Sequence, residues 1–407
     1  MPETPAPAPA PDPAPALDPD PALDSSLVPP SGTVHWIGAG LSTGSGLAAL
    51  CGAADRVRLW HRTEERAGES LAALGLTGRA EPRAYTPGAL TAELAPGDVV
   101  VSMLPTPEHP GLLAACVAGR AHFACSSYVS DAVLDQVPAA TAAGVVVLTE
   151  AGLDPGIDHL FAHSLIARAR AEIGADTAAE VSLTSYCGGV PAVPNDFRYR
   201  FSWAPAGVLN ALRSPARYIE SGAETTAPRP WEATRPHVVD GESFEAYPNR
   251  DSVPFVGQYG LPPAWQPQTF VRGTLRLDGW LEAWQPVFAR LADADAGSVT
   301  ELAQDLATRY PTTDADRDRV VLAVTLDVRA GSGRSWSGRY LLDLVGDAQE
   351  SAMARCVSRT LSAGVRAILR GTLPPGLNRA AETPGRAEEW LTELAGEGLD
   401  FRLTTGA

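Results

Sequence analysis

A short apolar strand that runs directly into glycines and then into a helix constrains this chain more than any other stretch. Residues 33–50 read Thr-Val-His-Trp-Ile-Gly-Ala-Gly-Leu-Ser-Thr-Gly-Ser-Gly-Leu-Ala-Ala-Leu, with the pattern Gly38-x-Gly40-x-x-x-Gly44. A phosphate needs backbone N–H groups that it can approach closely, and a helix N-terminus offers them with a favourable dipole. Gly38 suits the tight turn, Gly40 leaves room for a pyrophosphate, and Gly44 lets the helix lie close to the sheet. The flanking strand and helix raise a weak glycine motif to the expectation of a dinucleotide site. The third glycine stands one place later than in the commonest spacing, and an ordinary strand–turn–helix without a ligand is the competing interpretation.

The pattern continues along the first third of the chain. Strands are expected at 34–37, 57–60, 99–104, 121–126 and 145–149, with helices at 44–51, 64–74, 110–118 and 132–142. Buried apolar strands alternating with helices predict an α/β fold, a Rossmann doubly wound parallel sheet over residues 31–153. A helix at 350–370 completes it. Residues 154–349 form a second domain rich in aromatic residues, Pro, Gly and Arg. Its strands are expected at 181–187, 269–277, 320–329 and 339–344, with a helical stretch at about 281–319 and a loop at 311–314. Residues 371–407 read as loop plus a helix near 387–395. The Pro- and Ala-rich residues 1–30 read as a disordered tail.

Composition narrows the function classes. A length of 407 residues suffices for two cores, and a net charge of −16 argues against a nucleic-acid partner. No apolar run approaches the roughly 20 residues of a membrane span. The chain contains no lysine, so Schiff-base and lysine-base chemistry are excluded and anion recognition falls to arginine. The five cysteines show no C-x-x-C pair or zinc spacing, and no signal peptide opens the sequence, so a cytoplasmic location is expected. His159 and His163 stand four apart beside Asp158 but lack a third ligand, so no metal is expected. Cys187 has no paired base and reads as a buried small residue.

The second strand ends Leu59-Trp60-His61-Arg62-Thr63, with no carboxylate before Glu64. An acid there would hold a ribose 2′-hydroxyl; a cation without one suits a 2′-phosphate, which favours NADP over NAD. Arg62 offers a fork, Thr63 a hydroxyl and the next helix its dipole. Two further blocks fall at the carboxyl edge of the inferred sheet, where ligands bind. They are Ser126-Ser127-Tyr128-Val129-Ser130 and Glu150-Ala151-Gly152-Leu153-Asp154-Pro155-Gly156-Ile157-Asp158-His159.

With these blocks in view the chain resembles the saccharopine reductases, the glutamate-forming NADP-dependent saccharopine dehydrogenases. The likeness runs through most of residues 33–370. It continues through Ser185-Tyr186-Cys187-Gly188-Gly189, Phe201-Ser202-Trp203, Tyr247-Pro248-Asn249-Arg250-Asp251-Ser252, Arg272-Gly273-Thr274-Leu275-Arg276 and Glu350-Ser351-Ala352-Met353-Ala354-Arg355. The resemblance implies a second α/β domain on a mixed sheet that binds substrate and dimerises, with a helical insertion that is short here. It implies NADP contacts from Gly38, Ala39, Gly40, Leu41, His61, Arg62, Thr63, Leu153, Asp154, Pro155 and Trp203. Substrate contacts are implied for Ser127, Tyr128, Arg250, Arg272, Gly273 and Thr274, with Tyr128 and Asp154 orienting the reacting amine.

The implied reaction joins glutamate and allysine through an imine that receives hydride, or runs in reverse from saccharopine. Arginines suit its three carboxylates. The implied partner is a small-molecule substrate, with no nucleic acid or membrane, in a homodimer. Two alternatives stay open: a related NADPH-dependent reductase joining another amine and carbonyl, such as a carboxynorspermidine synthase, and a non-catalytic NADP-binding sensor.

Overall fold

A computed structural model of the chain describes residues 26–313 and 316–406. The first third supplies β1 (Thr33–Ile37), β2 (Arg56–His61), β3 (Glu81–Ala84), β4 (Val99–Ser102), β5 (His122–Cys125) and β6 (Val146–Thr149). The second part supplies β7 (Ala179–Pro191), β8 (Ala216–Glu220), β9 (Ala223–Ala227), β10 (Arg235–Val239), β11 (Glu242–Pro248), β12 (Trp265–Leu277), β13 (Asp318–Ala330) and β14 (Ser335–Val345). Two late strands follow, β15 (Gly376–Arg379) and β16 (Phe401–Gly406).

The first sheet is parallel throughout, in the order β15-β6-β5-β4-β1-β2-β3. Its inner strands β4, β5 and β6 are buried along their whole length because helices cover both faces. Val99 and Val101 face one core with Trp36 and Leu148, while Val100 faces the other with Phe123 and Leu113. Chain order reverses between β1 and β4, and the crevice at their carboxyl ends is where such sheets take ligands.

The second sheet runs β10-β11-β12-β7-β13-β14-β16, with β8 on β12 and β9 on β8. It is mixed: β7 and β12 are parallel, and the other pairs are antiparallel. Alternate β13 residues Val320, Leu322, Val324, Leu326 and Val328 share one core with Leu160, Phe161 and Leu165 of helix Ile157–Ile173 and with helix Ala352–Leu369. One continuous apolar core therefore joins the two sheets. Helices Pro205–Arg213, Trp280–Ala283, Gln285–Leu291 and Ala296–Arg309 close over a separate aromatic cluster of Phe197, Tyr199, Trp231, Trp284 and Phe288.

Several local expectations are corrected. Helix Ser45–Ala53 packs against helix Ala352–Leu369. A Cβ at Gly46 would overlap the Ser358 carbonyl, and one at Gly44 would overlap the Glu350 carboxylate. The third glycine of the motif thus makes room for a partner of the helix rather than for the sheet. The stretch 132–142 is two short helices, Asp131–Leu134 and Val137–Ala142, with Pro138 in the first turn of the second, where its missing N–H costs least. The insertion ends at Arg309, and β13 opens at Asp318; Asp314 lies outside the described residues.

Of the expected tail, residues 1–25 lie outside the described residues, while residues 26–30 pack on the first domain. Val28 is buried; its N–H donates to the Gly144 carbonyl at 2.9 Å, and its carbonyl meets His122 Nε2 at 3.1 Å. The segment after 371 contains the expected helix, Pro384–Gly396, and also adds one strand to each sheet. Among the described residues no helix is long and apolar enough to cross a membrane.

Candidate active site

A cavity of about 420 Å³ lies between the carboxyl edge of the first sheet and β7, β11 and β12. Ser42 of the glycine loop borders it, as do Ser127 and Tyr128 after β5, and Leu153, Asp154 and Pro155 after β6. Arg250, Thr274, Arg276 and Trp203 complete the walls that carry its chemistry.

The glycine loop is built for close approach. Gly38 adopts φ +98°, a conformation that costs glycine little, and its N–H donates to the Trp60 carbonyl at 2.9 Å. A Cβ added at Gly40 would meet nothing within 4 Å, so open space fronts the loop. Ala39 is half-buried and Leu41 is exposed beside it. At the end of β2, His61 Nδ1 accepts from the Arg62 N–H at 2.8 Å, and burial, then Arg62, lowers the His61 pKa. Thr63 caps helix Glu64–Ala73 by accepting from the Arg66 N–H at 3.2 Å. The Arg62 side chain is exposed and has no carboxylate partner among the described residues. An open glycine loop beside an unpaired guanidinium fits a 2′-phosphorylated dinucleotide.

The second loop depends on Gly156, at φ +146°, where a Cβ would overlap the Gly152 carbonyl. The Gly152 N–H donates to the Pro155 carbonyl at 2.9 Å, and the Gly156 N–H donates to Asp158 Oδ1 at 2.6 Å. This tight turn brings Asp154 to Tyr128, whose hydroxyl donates to Asp154 Oδ1 at 2.8 Å. Arg272 Nη2 donates to the same Oδ1 at 2.9 Å, to the Tyr128 hydroxyl at 3.1 Å, and to Asp158 Oδ2. Burial, then the Asp158 charge, raises the Asp154 pKa. In Asp158 the same burial is outweighed by His159 and Arg272, and its pKa falls. The two carboxyls are therefore driven apart, Asp154 upward and Asp158 downward. Burial also pushes the Tyr128 phenol well above its ordinary value.

Arg250 lies 5.0 Å above the Tyr128 ring and lines the cavity; the neighbouring Asp251 pairs with Arg217 at 2.8 Å instead. Arg272 and Gly273 do not line the cavity, unlike Thr274. The Arg272 guanidinium lies 4.0 Å over the Phe255 ring and is spent on Asp154 and Asp158. A Cβ at Gly273 would overlap the Tyr247 carbonyl.

Arg276, quoted above only within a block, does line the cavity. It is 6% exposed, lies 4.8 Å from the Tyr199 ring and 5.4 Å from the Tyr247 ring, and has no carboxylate partner among the described residues. Strand alternation carried the signal: 272, 274 and 276 share a face, and 273 points the other way. Cys187 lines the cavity too, as a neutral thiol whose pKa burial raises. His159 is held by Glu150 at 3.0 Å and Tyr259 at 2.8 Å, so its spacing to His163 serves packing.

Comparison with known proteins agrees with this architecture. Residues 34–148 match the family model of the saccharopine dehydrogenase NADP binding domain, and residues 152–399 match that of the saccharopine dehydrogenase C-terminal domain. The NADP(+), L-glutamate-forming saccharopine dehydrogenase of Pyricularia oryzae is 35% identical over 254 residues, covering 61% of this chain and 55% of that one. Its Saccharomyces cerevisiae counterpart is 40% identical over 200 residues, covering 48% and 43%. The mitochondrial alpha-aminoadipic semialdehyde synthase of Bos taurus is 38% identical over 201 residues, covering 48% and 21%. The chain thus spans about half the length of the fungal relatives that it matches. The solved apo saccharopine dehydrogenase (L-Glu forming) of Saccharomyces cerevisiae superposes with a TM-score of 0.76 at 25% identity, over 92% of this chain and 100% of that one. A homospermidine synthase from Legionella pneumophila, solved with NAD, shares the fold alone, with a TM-score of 0.60 at 10% identity over 94% and 93% of the two chains.

Proposed function

Because the chain belongs to the saccharopine dehydrogenase family, we propose that it interconverts L-saccharopine with L-glutamate and allysine, using NADP. One observation carries this reading: Tyr128 and Asp154 lie in a single cavity between Ser42 of the glycine loop and two guanidinium groups, Arg250 and Arg276, that have no carboxylate partner among the described residues. The bound dinucleotide would supply hydride chemistry at the imine carbon. Its phosphates would rest on the amides of residues 38–42, with Arg62 on the 2′-phosphate. Arg250 and Arg276 hold substrate carboxylates, and charge-assisted forks orient the imine carbon. Asp154, its pKa raised and its oxygen bonded to Tyr128, takes and returns the proton of the secondary amine.

The test is absorbance at the nicotinamide band with saccharopine and NADP, repeated with NAD. Reduction of NADP is expected; its absence would defeat the reading. Arg62→Ala should weaken NADP at least tenfold and leave NAD nearly unchanged.

A second reading has its own support. Saccharopine carries three carboxylates, yet two arginines line the cavity, and Trp203, Val208 and Ala211 give it an apolar wall. That favours a related reductase whose carbonyl partner lacks an amino-acid head, and a reductive-amination panel of aldehydes against glutamate decides between them. NADP binding with no turnover across the panel would indicate a sensor. We further place the protein in a reducing compartment, since its five cysteines are free, and as a homodimer, which sedimentation would check.

A further inference from the structure

We propose that Glu150 and His159 form a buried positioning pair that fixes Tyr128 in the site, an inference that rests on the reading above. Tyr128 stands in the loop after β5, and Glu150 grips that loop on both sides of it. The Glu150 N–H donates to the Ser127 carbonyl at 3.0 Å, and Glu150 Oε1 accepts from the Val129 N–H at 3.2 Å. The other oxygen, Oε2, meets His159 Nε2 at 3.0 Å, and His159 Nδ1 meets the Tyr259 hydroxyl at 2.8 Å. His159 Nδ1 also lies 3.5 Å from Asp158 Oδ2, so the ring joins Glu150 on one side to Tyr259 and Asp158 on the other. The His159 ring stacks on Phe255 with centroids 5.4 Å apart. The same Phe255 ring carries Arg272 and meets Tyr128 edge-on at 6.5 Å.

Two costs are retained at this residue. Glu150 is 2% exposed, and a carboxylate is kept in such a place only with its oxygens satisfied. Gln258 Nε2 at 3.4 Å and Arg379 Nε at 3.8 Å supply further partners. Glu150 also holds φ +57°, a left-handed conformation that glycine or asparagine would adopt more readily. A strand end alone needs neither the charge nor the strain. The loop that carries Tyr128 uses both, because only a side chain that reaches back from this position bonds the Val129 amide.

The expected result with Glu150→Gln is a kcat at least tenfold lower, with NADP affinity within twofold of wild type. If Glu150 acts through Tyr128, the double variant Glu150→Gln/Tyr128→Phe is no slower than Tyr128→Phe alone. Losses that multiply would overturn the proposal, since a merely structural defect adds to any other. His159→Gln, a milder change, should give the same non-additivity. Hydrogen exchange supplies a readout independent of turnover: the Val129 amide should exchange at least tenfold faster in Glu150→Ala, and unchanged protection would overturn the clamp. A wild-type protein that leaves saccharopine unoxidised defeats the functional reading alone, because amide exchange still decides the clamp.

Discussion

Arg272 and Arg276 stand four residues apart on one face of β12, yet they meet different partners. Arg272 is enclosed by Asp154, Asp158, Tyr128 and Phe255, whereas Arg276 faces the cavity between aromatic rings. Arg276→Ala should therefore raise the substrate KM at least tenfold while NADP affinity stays put, as steady-state kinetics and cofactor titration would report. Arg272→Ala strands the buried Asp158 carboxylate and should cost about 3–5 kcal/mol of stability, measured by denaturant unfolding, besides lowering kcat. These separate roles were only half legible in the sequence. The Arg-Gly-Thr-Leu-Arg block marked the strand, and its two-residue period put 272, 274 and 276 together. Which of the two guanidiniums would be consumed by acids depended on Asp158, which reaches the strand from a helix more than a hundred positions earlier. Local pattern has no access to such a pairing.

At the level of elements, the nucleotide helix Ser45–Ala53 owes its place to the late helix Ala352–Leu369. The Glu350 carboxylate accepts from the Ser45 N–H at 2.6 Å, and the Ser358 hydroxyl accepts from the Gly46 N–H at 3.0 Å. Gly46→Ala would drive a methyl group into the Ser358 backbone. We expect a loss of about 1–3 kcal/mol in denaturant unfolding and weaker NADP binding by titration, since the loop that faces the phosphates leads into this helix. The strand and helix alternation of the first domain was readable because its inner strands β4, β5 and β6 are buried along their whole length. The polar edge strand β3, Glu-Pro-Arg-Ala, and the hairpins β8–β9 and β10–β11 were not, because charged and polar residues interrupt their apolar pattern and pairing holds the exposed positions.

Across the whole molecule, two buried histidines link stability to pH. Burial holds His122 and His163 at about 4, below the ordinary 6.5. A depressed histidine binds its proton in the unfolded chain first, so its contribution is intact above 6.5 and is lost as pH falls toward 4. Each shift corresponds to about 3 kcal/mol. Calorimetry should show the melting temperature falling between pH 6.5 and 4, and His163→Leu should flatten that slope. The order in which the two halves mature is set by a different feature. Strand β15, which borders β6 in the first sheet, is read from the message more than two hundred codons after the other six strands of that sheet. During synthesis the nucleotide half must wait, with the β6 margin bare, until the catalytic half has left the ribosome. A truncated 26–150 product should consequently self-associate and fail to retain NADP on gel filtration, so that cofactor capture becomes a late checkpoint on a finished polypeptide.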